Sequence, residues 1–220
     1  MNFPTKTSLL AAVAWIGTAL VLSAQEMSKI EAENTATFGS APQFTTADAL
    51  TNYGYDTGYI GAHVNAPLQT VQMLHFNAPV EDVWQWVISG NDEWAMAIEA
   101  LTWDHSGSTT PGKLGVGSER RCDFVGGQGT AYERVFAVEE NRLFAYDLDA
   151  ERSTVPLPIR DFFVIWTLEQ QEAGGVLVTS RIYYHEAQDM GGNAAVAVVG
   201  ALTNDFKNFA NLYGGTYITM

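Results

Sequence analysis

Cysteine is nearly absent from this chain: Cys122 is the single one among 220 residues. A lone cysteine excludes an internal disulfide. Because no histidine lies close to it in sequence, we interpret Cys122 as a small buried residue rather than as a reactive thiol. The fold must therefore be held by an apolar core, for which the hydrophobic content of 47% is sufficient.

Basic residues are also scarce. Lysine and arginine total 11 against 25 aspartates and glutamates, which gives a formal net charge of -14. The basic residues do not cluster, whereas a protein that binds phosphate backbones needs a basic face. The composition therefore excludes nucleic acid as a partner and disfavours anionic lipid surfaces.

Motifs for metals and cofactors are missing as well. The four histidines are scattered without the close helical spacing of a zinc site: His63, His75, His105 and His185. Asp104 and His105 are the best pair for acid–base chemistry, but they precede a Ser-Gly-Ser loop, and we favour a surface position. The glycines at 115 and 117 open a predicted strand rather than a helix, so they form no dinucleotide fingerprint. We predict neither a metal nor a cofactor.

The N-terminus has the pattern of an export signal. Lys6 precedes an apolar run at 8–22, and the small residues Ser23 and Ala24 follow it. This predicts a secretory signal peptide at residues 1–24, cleaved after Ala24, and a periplasmic or secreted protein without a stable membrane span after cleavage. The alternative is an uncleaved anchor helix, although the run is short for a span of about 20 residues.

Residues 25–67 have few long apolar runs and place tyrosines among glycines at 53–59. We interpret them as an N-terminal extension or linker; a binding lid is the alternative. The folded domain is predicted at 68–214, and 215–220 form a C-terminal tail.

Within the domain, alternating and turn patterns predict one strand, two short helices, six strands and one long helix. The first helix is predicted to begin near Pro79, the second to span 93–100 and the third to span 193–213. The strands are predicted at 70–76, 101–106, 117–125, 130–139, 142–148, 162–171 and 176–185. The last helix carries a wide apolar stripe that includes Val198, Leu202, Phe206 and Phe209. Antiparallel strands with helices at both ends predict an α+β fold.

Two of the charged residues in the predicted strands, Arg120 and Glu133, have mostly apolar or small residues at alternate positions around them, and a core-facing charge must be paired or hydrated. Side chains alternate along a strand, so Arg120 shares a face with Ser118 and Cys122. A turn centred on 126–129 places Arg120 near Val135 and makes Glu133 its diagonal neighbour. We therefore predict that Arg120 and Glu133 meet at one polar spot, either as a structural ion pair or as a pair that orients a polar ligand head.

The order and spacing of several segments resemble the START-like, helix-grip superfamily, specifically its polyketide cyclase/dehydrase and lipid transport branch (SRPBCC). The resemblance spans about residues 70–213. It rests on the final helix and on NAPVEDVW at 77–84, GVGSER at 115–120, YERV at 132–135, FAY at 144–146 and Leu157-Pro158. It implies a curved seven-stranded antiparallel sheet around the long C-terminal helix, with two short helices after the first strand.

The resemblance also implies a deep pocket between sheet and helix, since members bind lipids, sterols, hormones or polyketides and some are cyclases or hydrolases. The leading hypothesis is an exported binding or carrier protein for a small hydrophobic ligand. The alternatives are a cyclase/dehydrase-like enzyme and a protein-interaction module, and we predict no oligomeric state. The candidate ligand-binding residues are Arg120, Glu133, Tyr146, Trp84 and Phe206.

Overall fold

The computed structural model describes residues 64, 66–187 and 193–218, with the backbone alone at 193–195. The predicted signal peptide, most of the predicted extension and His63 lie outside the described residues. The strands are β1 (Leu68–Phe76), β2 (Ile98–Asp104), β3 (Glu119–Phe124), β4 (Thr130–Glu139), β5 (Leu143–Leu148), β6 (Ile159–Gln170), β7 (Val176–Glu186) and β8 (Thr216–Ile218). The helices are α1 (Val80–Ser89), α2 (Asn91–Trp94) and α3 (Asn193–Leu212).

The strands form one antiparallel sheet in the order β2-β3-β4-β5-β6-β7-β1-β8. The α+β fold with its long C-terminal helix is confirmed, and the sheet has eight strands rather than seven. The additional strand is β8, because the predicted tail pairs with β1 through Leu74 opposite Tyr217. Gly215 lets the chain turn back there, since a Cβ at this position would lie 2.4 Å from the Phe76 ring.

Aromatic stacking fixes the C-terminal half of α3 on the inner face of the sheet. The Phe206 ring stacks on Trp166 at 5.1 Å, and Phe209 stacks on Trp94 at 4.8 Å. Polar contacts add to this attachment: Asn208 donates to the Trp94 carbonyl at 2.7 Å. The apolar stripe predicted for the last helix is thus buried where it carries phenylalanines.

The outer face of the sheet carries a second, smaller apolar cluster. Phe163, Ile165 and Tyr183 are buried there. Val64 and Ala66 pack into the same cluster, although the sequence placed them in the extension. Parts of β5, β6 and β7 therefore have apolar side chains on both faces.

The second predicted helix is largely wrong. Residues 93–100 have good helix formers, yet α2 ends at Trp94, Ala95 is extended, and Ile98 already begins β2. Burial of Trp94 against Phe209 and Trp166 turns the chain there, and tertiary packing overrides a weak local preference.

The pH dependence of stability tests the attachment of α3. Asp205 accepts a hydrogen bond from the Met96 N–H at 2.9 Å, and burial raises the pKa of this carboxyl from 3.8 to about 6, the hydrogen bond offsetting part of the effect. Because the pKa of Asp205 is higher in the folded than in the unfolded protein, this carboxyl stabilises the fold fully at a pH below its unfolded-state pKa. That contribution is lost as the pH rises through about 6. We expect Asp205→Asn, which keeps the acceptor oxygen, to be more stable than wild type at pH 8 by roughly 1–3 kcal/mol.

In urea unfolding, the free energy of unfolding of Asp205→Asn should decrease less between pH 4 and 6 than that of wild type. Glu172→Gln, which removes an exposed acid from the β6–β7 turn, is the matched control and should leave the profile unchanged. A wild-type profile that rises through this window and matches that of Asp205→Asn would contradict the assignment.

Candidate functional site

Strands β3 and β4 bring the two predicted charges together. Arg120 lies directly opposite Glu133, so the predicted shared face is confirmed and the predicted register is wrong by two residues. The reason is the turn: the Phe124 N–H donates to the Gly129 carbonyl at 2.9 Å, and a short 3-10 turn at Val125–Gly127 with two left-handed glycines closes the loop. The centre of the hairpin therefore lies one residue earlier than the glycine cluster indicates.

Arg120 and Glu133 form a buried ion pair on the inner face. The guanidinium Nε donates to the Glu133 Oε2 at 2.6 Å, and the two residues are 1% and 8% exposed. A second donor, Nη1, binds the Asn91 Oδ1 at 3.2 Å, and the Cys122 thiol lies 3.7 Å from the same Glu133 oxygen. The remaining guanidinium nitrogen, Nη2, is buried without a hydrogen-bond partner.

Aromatic rings surround the Arg120 guanidinium. Its central carbon lies 4.4 Å from the ring centre of Tyr146, 5.4 Å from Phe144 and 5.8 Å from Trp103. Rings attract a cation through their electron-rich faces, most strongly where water is excluded. The arrangement holds the charge in an apolar setting while leaving Nη2 free to donate.

The neighbouring titratable groups stay neutral. Burial raises the pKa of the Cys122 thiol, the Glu133 charge raises it further, and the Arg120 charge offsets only part of this. Burial and Glu133 likewise raise the pKa of Tyr146. For Arg120 itself burial disfavours the charged form, but the interactions with Glu133, Tyr146 and Cys122 together raise the pKa. At neutral pH the only charges at the centre of the site are those of the ion pair.

A half-buried apolar group lies beside the inner-face core. It includes residues of the N-terminal half of α3, of the proline-containing loop before β6 and of adjacent strand ends: Val198, Leu202, Val155, Leu157, Leu148 and Phe162. We call these six residues the apolar rim. They contrast with Phe206 and Phe209 on the same helix, which are completely buried. A hydrophobic molecule would meet exposed apolar surface along this rim.

Of the predicted site residues, three lie together and two do not. Arg120, Glu133 and Tyr146 form the polar centre. Trp84 contacts the Phe144 ring edge-on at 6.4 Å, and Phe144 in turn contacts the Arg120 guanidinium. Phe206 instead stacks on Trp166 and belongs to the attachment of α3.

Sequence reasoning missed three neighbours of Arg120, namely Asn91, Phe144 and Trp103. The contact of Asn91 with a residue 29 positions away leaves no local signal. His105, expected at the surface, is half-buried: it stacks on Trp103 at 5.5 Å and its Nδ1 lies 3.0 Å from the Ser118 Oγ. Its alternation with Trp103 along the strand could have placed it on the inner side.

The outer face of β2–β4 carries a different concavity of about 250 Å³. Its lining is mostly polar and includes Asp104, Glu119, Arg121 and Arg152. Arg152 forms a bidentate pair with Glu119 and lies 4.3 Å from the Tyr132 ring centre. Arg121 pairs with Asp123, and Asp104 accepts from the Ser106 N–H. With this charged lining the concavity is unsuited to an apolar molecule.

Within residues 64–187 and 193–218, no group of three His, Cys, Asp or Glu side chains is arranged to hold a metal ion. None of the described helices is long and apolar enough to cross a membrane.

The fold and the inner polar centre define an α+β domain of the helix-grip class. A family model described as polyketide cyclase / dehydrase and lipid transport matches residues 68–213. Because that match covers most of the chain, the protein belongs to this family and thus to the START-like SRPBCC group. The family relationship supports binding of a small hydrophobic ligand.

Solved structures show the same fold. The protein XoxI from Bacillus cereus is 16% identical with a TM-score of 0.51, over 66% of this chain and 94% of that one. An uncharacterized protein from Bacillus thuringiensis is 18% identical with a TM-score of 0.51, over 66% and 97%. At such identities the likeness concerns the fold alone. No curated protein sequence matches the chain.

A double-mutant cycle tests the buried pair. Arg120→Met leaves the Glu133 carboxylate buried without its partner, so we expect a loss of about 3–5 kcal/mol in the free energy of unfolding. Replacing both, with Arg120→Met and Glu133→Leu, should recover most of that loss because no unpaired charge remains.

Urea unfolding at pH 7 measures the cycle. Arg121→Met, on the same strand but exposed on the opposite face, is the matched control and should change stability by less than about 1 kcal/mol. Equal destabilisation by Arg120→Met and Arg121→Met would contradict the assignment.

Proposed function

We propose that this protein is an exported binder or carrier of a small hydrophobic ligand, held between the inner face of the sheet and α3. The carrying observation is the Arg120 guanidinium, which is fully buried among three aromatic rings and keeps one donor, Nη2, unsatisfied. A buried donor without a partner costs about 1–3 kcal/mol, so a site that retains one is suited to a ligand oxygen that satisfies it.

The apolar rim provides the second support. Half-buried apolar side chains occur on α3, at Val198 and Leu202, and on the loop before β6, where Pro156 and Pro158 restrict the backbone. Ligand pockets combine apolar walls with a few placed polar groups, and the rim and the Arg120 centre have these two characters. The apolar body of a ligand would contact the rim while its polar end reaches Nη2.

The enzyme alternative has less support from the geometry. Cys122 and Tyr146 stay protonated, so neither supplies a nucleophile at neutral pH. Glu133 is the one carboxylate at the centre, and its Oε2 already accepts from Arg120 and Cys122. Turnover that is lost in Glu133→Gln while ligand binding persists would favour the enzyme.

Export rests on the N-terminal pattern alone. We expect protein recovered from its own host to begin at Gln25, outside the cytoplasm, because signal peptidase cuts after small residues such as Ala24. Intact-mass measurement of the recovered protein checks this, with cytoplasmically expressed full-length chain as the reference. A recovered protein that retains residues 1–24 in the membrane fraction would support the anchor alternative instead.

Ligand binding is tested with Nile red, a neutral dye that fluoresces in apolar surroundings, and by native mass spectrometry of protein from its own host. We expect wild type to bind the dye and Leu202→Asp to bind it roughly tenfold more weakly, because a carboxylate on the rim must be desolvated.

Ala201→Asp is the matched control, since it adds the same charge at the exposed neighbouring position of α3. It should bind like wild type. Absence of dye binding together with absence of a co-purified ligand, or equal effects of the two variants, would contradict the proposal.

A further inference from the structure

The charges at the Arg120 centre cancel. Arg120 carries a positive charge and Glu133 a negative one at a separation of 2.6 Å. Cys122, Tyr146 and Asn91 are neutral at pH 7. His105 stacks on the Trp103 ring, and its Nδ1 lies 3.0 Å from the Ser118 Oγ.

The hydrogen-bonding capacity at this centre is, by contrast, unbalanced. Nε and Nη1 of Arg120 have acceptors in Glu133 and Asn91, whereas Nη2 has none. Cys122 is directed at the Glu133 oxygen that Arg120 already binds. The centre therefore has one N–H donor, Nη2, without an acceptor, whereas its two charges compensate each other.

We infer that the ligand presents a neutral oxygen acceptor to Arg120 Nη2, such as a ketone, an ester carbonyl or a hydroxyl, and not a carboxylate. The inference rests on the proposed function, and it adds the chemical class of the ligand's polar end. It also separates this site from a lone buried arginine, which would select an anion.

Electrostatics decides between the two classes. A carboxylate on Nη2 would place a second negative charge on a guanidinium that already binds Glu133, a few ångströms from its oxygens. Like charges in a buried site repel strongly, and the desolvation of the carboxylate is not repaid by a cation that is already paired. A neutral carbonyl satisfies the donor without adding charge.

The test uses two pairs of probes with matched bodies. 2-Acetylnaphthalene and 2-naphthoate are flat, as the surrounding rings favour, and 2-tridecanone and dodecanoate are chain-like. Isothermal titration calorimetry of the full domain at pH 7.5 should give at least tenfold tighter binding of the ketone in one or both pairs. In Glu133→Gln the preference should shift by at least tenfold towards the carboxylate, because Arg120 then keeps an uncompensated charge.

Glu119→Gln is the matched control, since it removes the same charge from the neighbouring, outward-facing position of β3. It should keep the wild-type preference. If Glu133→Gln does not fold, wild type alone still decides: carboxylate binding should strengthen as the pH falls through the probe's own titration, while ketone binding stays constant.

The outcomes separate the two proposals. Carboxylates that bind wild type as tightly as the matched ketones would overturn the inference and leave the hydrophobic-ligand function intact. Failure of all four probes and of Nile red to bind would overturn both.

Discussion

Stacking between α3 and the sheet is the contact on which the rest of the structure depends. Phe206 on Trp166 and Phe209 on Trp94 bury the C-terminal half of the helix and stop α2 after a single turn. The N-terminal half carries valines and Leu202 instead, and these are only half-buried. Aromatic side chains bury about 150–250 Å² each and stack with additional energy, so the attachment is uneven. One end of the helix is fixed by stacked rings, and the other end carries half-buried apolar side chains.

The Arg120–Glu133 pair is poorly explained as a device for stability alone. Two charges taken from water cost several kcal/mol each, and apolar residues of similar volume often replace such pairs without loss. The site adds a second cost, because Nη2 is buried and unsatisfied. Because the pair is unfavourable in both respects, we propose that binding of a ligand accounts for it. The ring of Tyr146, 4.4 Å from the guanidinium, offsets part of the cost.

Patterns that repeat along the chain predicted most of the fold. β4 lies at its predicted bounds, and the long helix differs from its prediction by one residue, because alternation and the three-to-four-residue period are local properties. The errors arise where the outcome depends on distant contacts. A 3-10 turn shifted the β3–β4 register, Trp94 burial ended α2, and pairing with β1 turned the expected tail into β8. Arg120 and Glu133 could be predicted as a pair because charge on a core face demands a partner. Asn91 could not, because its contact crosses 29 positions of unrelated sequence.

The contacts of the Arg120 centre determine which of its groups could act as a base or as a nucleophile. General bases need a free lone pair directed at the substrate. The Glu133 oxygen that faces this centre already accepts from Arg120 Nε and Cys122 Sγ. Nucleophiles need a stabilised anion, yet burial and the Glu133 charge keep the Cys122 thiol protonated. The Nη2 N–H of the Arg120 guanidinium remains without an acceptor. A donor of this kind orients an oxygen but moves no proton, because arginine does not titrate near neutral pH.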